Sequence, residues 1–463
     1  MTQPAINPTI FRDYDIRGVV GTDLDERIVA QLGRAFGTFL RRSSERPRVA
    51  VGHDARLTSP SYAAAAIDGL LAAGCDVVAI GMVPTPVLYF AVNTLGVEGG
   101  LCVTASHNPP RFNGLKLRKR PGQSGEPLTS EEIQEIRRLA ETEHFADGAG
   151  TLENGDAVTP YLDYLAQRLR LSRPVRVVLD TGNGATGPTA LEALRRIGAE
   201  VCGLFTEPDG TFPNHLPNPL KPENLQSLIK EVQHTGAEIG VALDGDGDRL
   251  GIVADNGAIL WPDQYLIFLA RHALAARRGP VVFDVKCSMA LIEEIERAGG
   301  TPIMTRTGYT NIARKRREVG AVIAGEFSGH LFFDDPVIDF DDGTFAAGML
   351  LHWLAAQEQP LSAQMRSLTQ YAATPEERYA CNEAAKQRVV EEVRRRFKQE
   401  YDTIDIDGVR IIFPDGWALV RASNTEPALT ARYEARSPER LRAIVALVKD
   451  VLRQFPEVDL ERE

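Results

Sequence analysis

The chain has 463 residues with a net charge of −11, 43% hydrophobic and 25% charged residues. That composition can bury full cores, and its acidity argues against nucleic-acid or anionic-membrane partners. No run of about 18 apolar residues offers a membrane span, and at about 150 residues per domain roughly three domains are expected. No apolar segment precedes Arg12 and Asp13, so no secretory signal is visible. Cys75, Cys102, Cys202, Cys287 and Cys381 are odd in number and scattered, four of them in apolar runs. They read as reduced core residues of a cytoplasmic protein.

Taken in chain order, the first distinctive segment is Tyr14-Asp15-Ile16-Arg17-Gly18. An isolated arginine before glycine is ordinarily a surface group. An apolar strand at 48–52, an Ala/Leu-rich helix at 63–73, a stop at Gly74 and a second strand at 77–80 then form an α/β unit. The same order recurs twice. It runs 175–180, 189–197, Gly198 and 201–204, then 281–284, 289–298, Gly299 and 302–304. In each copy the glycine closes the helix, so the next run can lie parallel to the first strand. A period above 100 residues is too long for a solenoid, so three tandem homologous α/β domains with mixed or parallel sheets are expected. The tail departs from the pattern, with a charged helix at 383–398, short strands at 408–413, 417–421 and 429–434, and a helix at 438–453. It reads as a smaller α+β domain. The Gly-rich stretch 147–156 and the turn Asp255-Asn256-Gly257 mark two boundaries, giving domains 1–153, 154–256, 257–368 and 369–463.

Four loops carry chemistry. Thr104-Ala105-Ser106-His107-Asn108-Pro109 follows the apolar run 100–103, a position where α/β sheets place ligands. The plainer role for that serine is a helix or turn cap. Asp244-Gly245-Asp246-Gly247-Asp248-Arg249 is a poor helix and a poor strand, and its carboxylates repel one another, so a divalent cation is the natural partner. The competing reading is a solvated acidic turn. A calcium-binding helix–loop–helix fails, because the sixth position is Arg249, the twelfth is Asp255, and a strand precedes the loop. Gly325-Glu326-Phe327-Ser328-Gly329-His330 follows the run 321–324, and it could equally be a turn with a capping serine. Arg421-Ala422-Ser423-Asn424-Thr425-Glu426-Pro427 offers an arginine, two hydroxyls, an amide and loop N–H groups, which suit a phosphate; a capped turn would look similar. Each loop ends a predicted strand, one per domain, so the four are expected to converge on one central active-site cleft.

The full set, in this order, resembles the α-D-phosphohexomutases, and specifically the bacterial phosphomannomutase/phosphoglucomutase branch. The resemblance covers the whole chain. It implies that Ser106 is phosphorylated in the active enzyme and that Mg²⁺ is held by Asp244, Asp246, Asp248 and a phosphate oxygen on Ser106. The phosphoryl group would pass to a hexose 1-phosphate, form a 1,6-bisphosphate, and return from the other end of the sugar. The resemblance gives Glu326 and Ser328 the sugar hydroxyls, and Arg421, Ser423, Asn424 and Thr425 the phosphate that stays. Arg17, beside Tyr14, would join Lys116 and Arg249 in adding positive charge near the transferring group. Lys116, His107 and His330 are the candidates for proton transfer, and the residues do not choose among them. In Arg306-Thr307-Gly308-Tyr309-Thr310-Asn311 the chain departs from relatives, which often have histidine or glutamate after the glycine. Tyr309 can donate a hydrogen bond but brings no positive charge, whereas Lys286 remains available as a cation. The phosphoglucosamine mutases, which the chain also resembles, usually carry glutamine in place of Phe327 and serine in place of Thr104. Two further activities compete with the mutase: a sugar-phosphate phosphatase, and non-catalytic binding of a sugar phosphate. The partners implied are small-molecule sugar phosphates, and nothing in the sequence demands a dimer.

Overall fold

The computed structural model describes residues 6–122, 125–423 and 427–460. They fall into two units, Met1–Trp261 with Ser328–Ser362, and Pro262–Phe327 with Ala363–Glu463.

In the first unit, one sheet runs in the order Ile16–Val19, Phe112–Lys119, Gly99–Val103, Arg48–His53, Asp76–Met82 and Leu152–Asn154. The first two pairings are antiparallel and the other three parallel, so the sheet is mixed. Helices Glu26–Leu40 and Ser59–Ala72 bury their apolar residues in its core. Gly99–Val103 is buried at every position, as expected of a central strand covered on both faces. The Gly-rich stretch after residue 147 leads straight into Leu152–Asn154 at the sheet edge.

A second sheet has the order Ile259–Leu260, Leu250–Ala254, Ile239–Leu243, Arg176–Asp180, Glu200–Leu204. Its turn at 255–257 joins two paired strands, Leu250–Ala254 and Ile259–Leu260. The boundary expected at 256/257 therefore cuts a hairpin, and the second sheet runs on to Leu260. Cys202 is also corrected: it is exposed, because Glu200–Leu204 is an edge strand, while the other four cysteines are buried. Helix Gly343–Ala355 completes this unit, with Asp342 as N-cap accepting from Phe345 N–H at 2.9 Å.

In the second unit, Thr301–Thr305, Pro280–Asp284 and Ile323–Gly325 are parallel neighbours, joined by helices Met289–Arg297 and Tyr309–Val319. An antiparallel sheet follows, in the order Asp402–Ile404, Val409–Phe413, Gly416–Ala422, Ala428–Ala435, Glu377–Cys381, Val458–Asp459. Helix Lys386–Phe397 covers it with Val389, Val390, Val393 and Phe397, the spacing of one helical face. Helix Pro438–Leu452 starts from Ser437, whose hydroxyl accepts from Arg440 N–H, with Pro438 in the first turn. The architecture is three α/β domains and a smaller α+β domain. The glycine that ends the helix of each repeat, Gly74, Gly198 or Gly299, has φ of 82°, 107° and 77°, the left-handed region that lets the chain turn back toward the sheet. Among the described residues no helix is long and apolar enough to cross a membrane.

Candidate active site

Strand Gly99–Val103 delivers Thr104 and Ser106 to the end of the first sheet. Ser106 has a left-handed backbone (φ 50°), a conformation that costs a residue with a Cβ some energy. Its N–H donates to Thr104 Oγ1 at 3.0 Å, and its hydroxyl donates to Asp244 Oδ2 at 2.6 Å. His107 Nδ1 lies 3.1 Å from the same hydroxyl. Asp244 begins the hairpin loop between Ile239–Leu243 and Leu250–Ala254. The loop folds around its Oδ1, which accepts from Gly247 N–H (2.9 Å) and Arg249 N–H (3.2 Å). Asp246 Oδ2 accepts from Thr85 Oγ1 (2.7 Å), Thr104 Oγ1 (3.3 Å) and Lys116 Nζ (2.6 Å). Lys116 also donates to Asp248 Oδ2 at 2.5 Å. It reaches there because Phe112–Lys119 pairs antiparallel with Gly99–Val103, setting Lys116 opposite Cys102.

The acidic loop is thus a hairpin turn, but a buried one: Asp244, Asp246 and Asp248 are 0%, 0% and 2% exposed. Ligand oxygens of the three lie within 4.8 Å of one another. Burial, then Asp248 and Asp246, push the Asp244 carboxyl well above its ordinary range. Burial opposes charge on Asp248 too, yet Lys116, His330 and Arg249 hold it below the usual range. Asp246 Oδ1 and Asp248 Oδ1 are buried without a hydrogen-bond partner among the described residues. Crowded carboxylates with unspent oxygens fit a hard divalent cation, which takes oxygen ligands.

Basic groups surround this cluster. Arg17 donates to Asn108 Oδ1 (3.1 Å) and pairs with Asp15 (2.5 Å). Burial works against its charge, but Asp15, Asp246 and Asp248 raise its pKa. Arg249 Nε is 3.9 Å from Asp248 Oδ1. Burial, then Arg249 and Arg17, drive the His107 imidazole well below its ordinary value, so it is neutral at pH 7. His330 Nδ1 lies 2.8 Å from Asp341 Oδ2 and 3.8 Å from Asp248 Oδ1. Ser328 Oγ is buried without a partner among the described residues, and Tyr14 is half-buried.

The second unit holds its own polar cluster. Glu326 follows Ile323–Gly325 and accepts from Gly308 N–H at 2.9 Å, just before helix Tyr309–Val319, of which Tyr309 is the first residue. Arg421, on strand Gly416–Ala422, donates to Thr307 Oγ1 (2.8 Å) and pairs with Asp407 Oδ2 (3.2 Å). Lys286 Nζ stands 3.7 Å from both Asp284 Oδ2 and Glu376 Oε2. Burial opposes its charge, but Glu376 and Asp284 raise its pKa. Burial takes the Asp284 carboxyl up to about 6 against the pull of Lys286. Ser423 is buried, and its carbonyl accepts from Lys386 Nζ at 2.6 Å. Asn424 and Thr425 lie outside the described residues.

Among the described residues, Ser106, His107, Arg17, Lys116, Arg249, His330 and the three aspartates lie together in the first unit, and Lys286, Glu326 and Arg421 lie close enough in the second to interact electrostatically. Thr85, Asp341 and Glu376 belong to these groups and were missed. Thr85 follows strand Asp76–Met82, so the strand-end rule would have reached it. Asp341 sits in the acidic run 339–342, which by sequence looks like a solvated face.

Comparison with known proteins gives the chain a family. Its segments match sequence profiles described as phosphoglucomutase/phosphomannomutase, alpha/beta/alpha domain I (residues 8–147), domain II (159–257), domain III (261–371) and C-terminal domain (376–451). A phosphomannomutase/phosphoglucomutase of Pseudomonas aeruginosa is 40% identical over 452 residues, covering 97% of this chain and 96% of that protein. A phosphoglucomutase of Neisseria gonorrhoeae is 40% identical over 461 residues, covering 98% of each. The crystal structure of a phosphoglucomutase/phosphomannomutase family protein from Burkholderia thailandensis superimposes with a TM-score of 0.90 at 39% identity, covering 97% of both chains. With every domain matched in order and relatives aligned over nearly their full length, this chain belongs to the phosphoglucomutase/phosphomannomutase family.

Proposed function

We propose that this chain interconverts hexose 1-phosphates and hexose 6-phosphates of glucose and mannose, passing a phosphoryl group through Ser106. The observation that supports this most directly is the Ser106 hydroxyl, 2.6 Å from one of three buried carboxylates. In the active enzyme Ser106 carries the phosphoryl group. A free sugar hydroxyl attacks phosphorus, the Oγ–P bond breaks, an O–P bond forms on the sugar, and the hydroxyl proton leaves to a base. The hexose 1,6-bisphosphate then turns, its other phosphate returns to Ser106 Oγ, and the isomeric monophosphate departs.

Asp244, Asp246, Asp248 and the phosphate on Ser106 would hold Mg²⁺, which supplies neutralisation of charge on the transferring group. Lys116, Arg17 and Arg249 add fixed positive charge there, already oriented by Asp246, Asp248, Asp15 and Asn108. Glu326 and Ser328 would grip sugar hydroxyls. Arg421, Ser423, Asn424 and Thr425 would hold the phosphate that stays, with Lys286 and Tyr309 as further donors to the substrate. Of the three proton-transfer candidates, His107 is neutral and next to the serine oxygen, Lys116 is engaged by two aspartates, and His330 is backed by Asp341.

The test is ³¹P NMR of the purified protein with glucose 1-phosphate and mannose 1-phosphate in parallel, with Mg²⁺ and a trace of glucose 1,6-bisphosphate. Growth of a 6-phosphate signal is expected, and the two rates rank the sugars. Release of inorganic phosphate would replace the mutase with a phosphatase, and no change with either sugar would overturn the substrate assignment.

A further inference from the structure

One buried side chain beneath Ser106 has no part in the chemistry above. Arg56, in the loop after strand Arg48–His53, is 1% exposed. A guanidinium carries five N–H donors in a rigid planar fork, and here each has an acceptor. Nε donates to Asp54 Oδ2 (3.0 Å), Nη1 to the carbonyls of Pro109 (2.9 Å) and Phe112 (3.0 Å), and Nη2 to those of Ser106 and Asn108 (both 2.7 Å). Four of the five thus end on carbonyls of one loop, 106–112.

The fork is itself anchored. Asp54 accepts from Ser59 Oγ at 2.5 Å and from Arg56 N–H at 3.0 Å. Its own N–H donates to Val103 O at 2.9 Å, on the strand that delivers Ser106. The Phe212 ring covers the guanidinium at 5.2 Å. Beyond the Ser106 carbonyl, a Cβ on Gly245 would meet that oxygen at 2.7 Å, so the acidic loop closes directly against it. The Ser106 carbonyl is held between Arg56 and Gly245, and the left-handed φ of 50° at Ser106 is the conformation that lets its carbonyl face the fork while its hydroxyl faces Asp244.

We propose that Arg56 is a positioning residue for phosphoryl transfer, holding four carbonyls of the 106–112 loop so that Ser106 Oγ stays aimed at the three aspartates. The proposal rests on the reading of Ser106 as the phosphoryl carrier. Lysine cannot replace it, because an ammonium has three donors and no planar fork.

The test compares the full-length chain with Arg56→Lys, Asp54→Asn and Ser106→Ala. For each, kcat and KM for glucose 1-phosphate are measured per folded molecule, together with the rate at which glucose 1,6-bisphosphate phosphorylates Ser106, followed by intact mass. Arg56→Lys is expected to lower kcat and the phosphorylation rate together by about 100-fold, the scale of a 1 Å misplacement, with KM within about twofold. Asp54→Asn leaves the four carbonyl bonds but loosens their anchor, and it is expected to lower kcat by about tenfold in the same pattern. If Arg56→Lys does not fold, the Asp54 variant decides. A normal kcat per folded molecule with only a lower Tm would make Arg56 a structural prop and overturn the proposal. A raised KM with normal kcat would do the same. Absence of phosphorylation in the unaltered chain would overturn the Ser106 reading and the positioning role with it, an outcome distinct from any loss confined to the variants.

Discussion

The hydroxyl of Ser106 is useful because three carboxylates that repel one another stand buried beside it. Holding them there costs stability, and the cost is offset by Lys116, by the hydroxyls of Thr85 and Thr104, and by the loop's own N–H groups. Replacing Ser106 with alanine should therefore remove turnover by on the order of 10⁴-fold or more while circular dichroism stays unchanged. Bisphosphate-dependent turnover persisting near the original rate in the ³¹P assay would exclude the serine. On the proposed reading, Arg421 holds the phosphate that stays. Its alanine variant should raise KM for hexose 1-phosphate by about 10–100-fold, the worth of a charged hydrogen bond, with Ser106 phosphorylation by the bisphosphate little changed. Equal KM values would remove its phosphate-binding role. Ser106, the three aspartates and Arg421 were all legible in the sequence, because their loops are made of residues with no other good reason to be adjacent. Asp341 and Arg56 were not, since each gains its meaning from a partner far along the chain.

At the scale of elements, the repeated strand–helix–glycine–strand order carried most of the fold, because each step has a local cause: apolar runs, an Ala/Leu helix, and a glycine free to adopt positive φ. The hairpin at 255–257 shows where local reading stops. A turn between strands looks the same whether it joins two domains or folds a sheet back on itself, and only the pairing of Leu250–Ala254 with Ile259–Leu260 distinguishes them. The end of strand Arg176–Asp180 carries another long-range pair. His215 Nε2 lies 3.0 Å from Asp180 Oδ2, and its Nδ1 meets Leu216 O at 2.9 Å. Burial alone would lower the imidazole's pKa, but the hydrogen bond and charge of Asp180 outweigh it and raise the value above the ordinary 6.5. The folded state thus favours the imidazolium. Its stabilisation should be present in full below pH 6.5 and be lost as pH rises through the raised folded value. Thermal melts of the unaltered chain and His215→Gln from pH 5.5 to 9 should show a Tm gap that closes as pH rises. A gap that stays constant or widens would exclude the linkage.

For the molecule as a whole, the charge balance and the acidic cluster point the same way. A chain of net charge −11 draws in an anionic substrate only through local basic groups, and it carries three buried carboxylates that a cation would relieve. Chelator treatment should abolish turnover and added Mg²⁺ should restore it. Mg²⁺ at about 100 times its Kd should also stabilise the fold by about 2.7 kcal/mol, read as a shift in Tm. Full activity in excess chelator would exclude a metal role for Asp244, Asp246 and Asp248.

By itself the sequence determined the domain repeat, the order of the four loops and the residue types at their tips, all of which follow from local spacing and from chemistry that has few other uses. Only the tertiary structure decided which charges those loops meet. Lys116 reaches Asp246 across 130 residues, Asp341 backs His330, and Arg56 spends four of its five donors on the loop that presents Ser106. Burial then lowers the pKa of His107 and, with Asp248 and Asp246, raises that of Asp244. Hydrogen-bond partners and burial depend on strands and loops brought together from distant parts of the chain, and no local pattern encodes them.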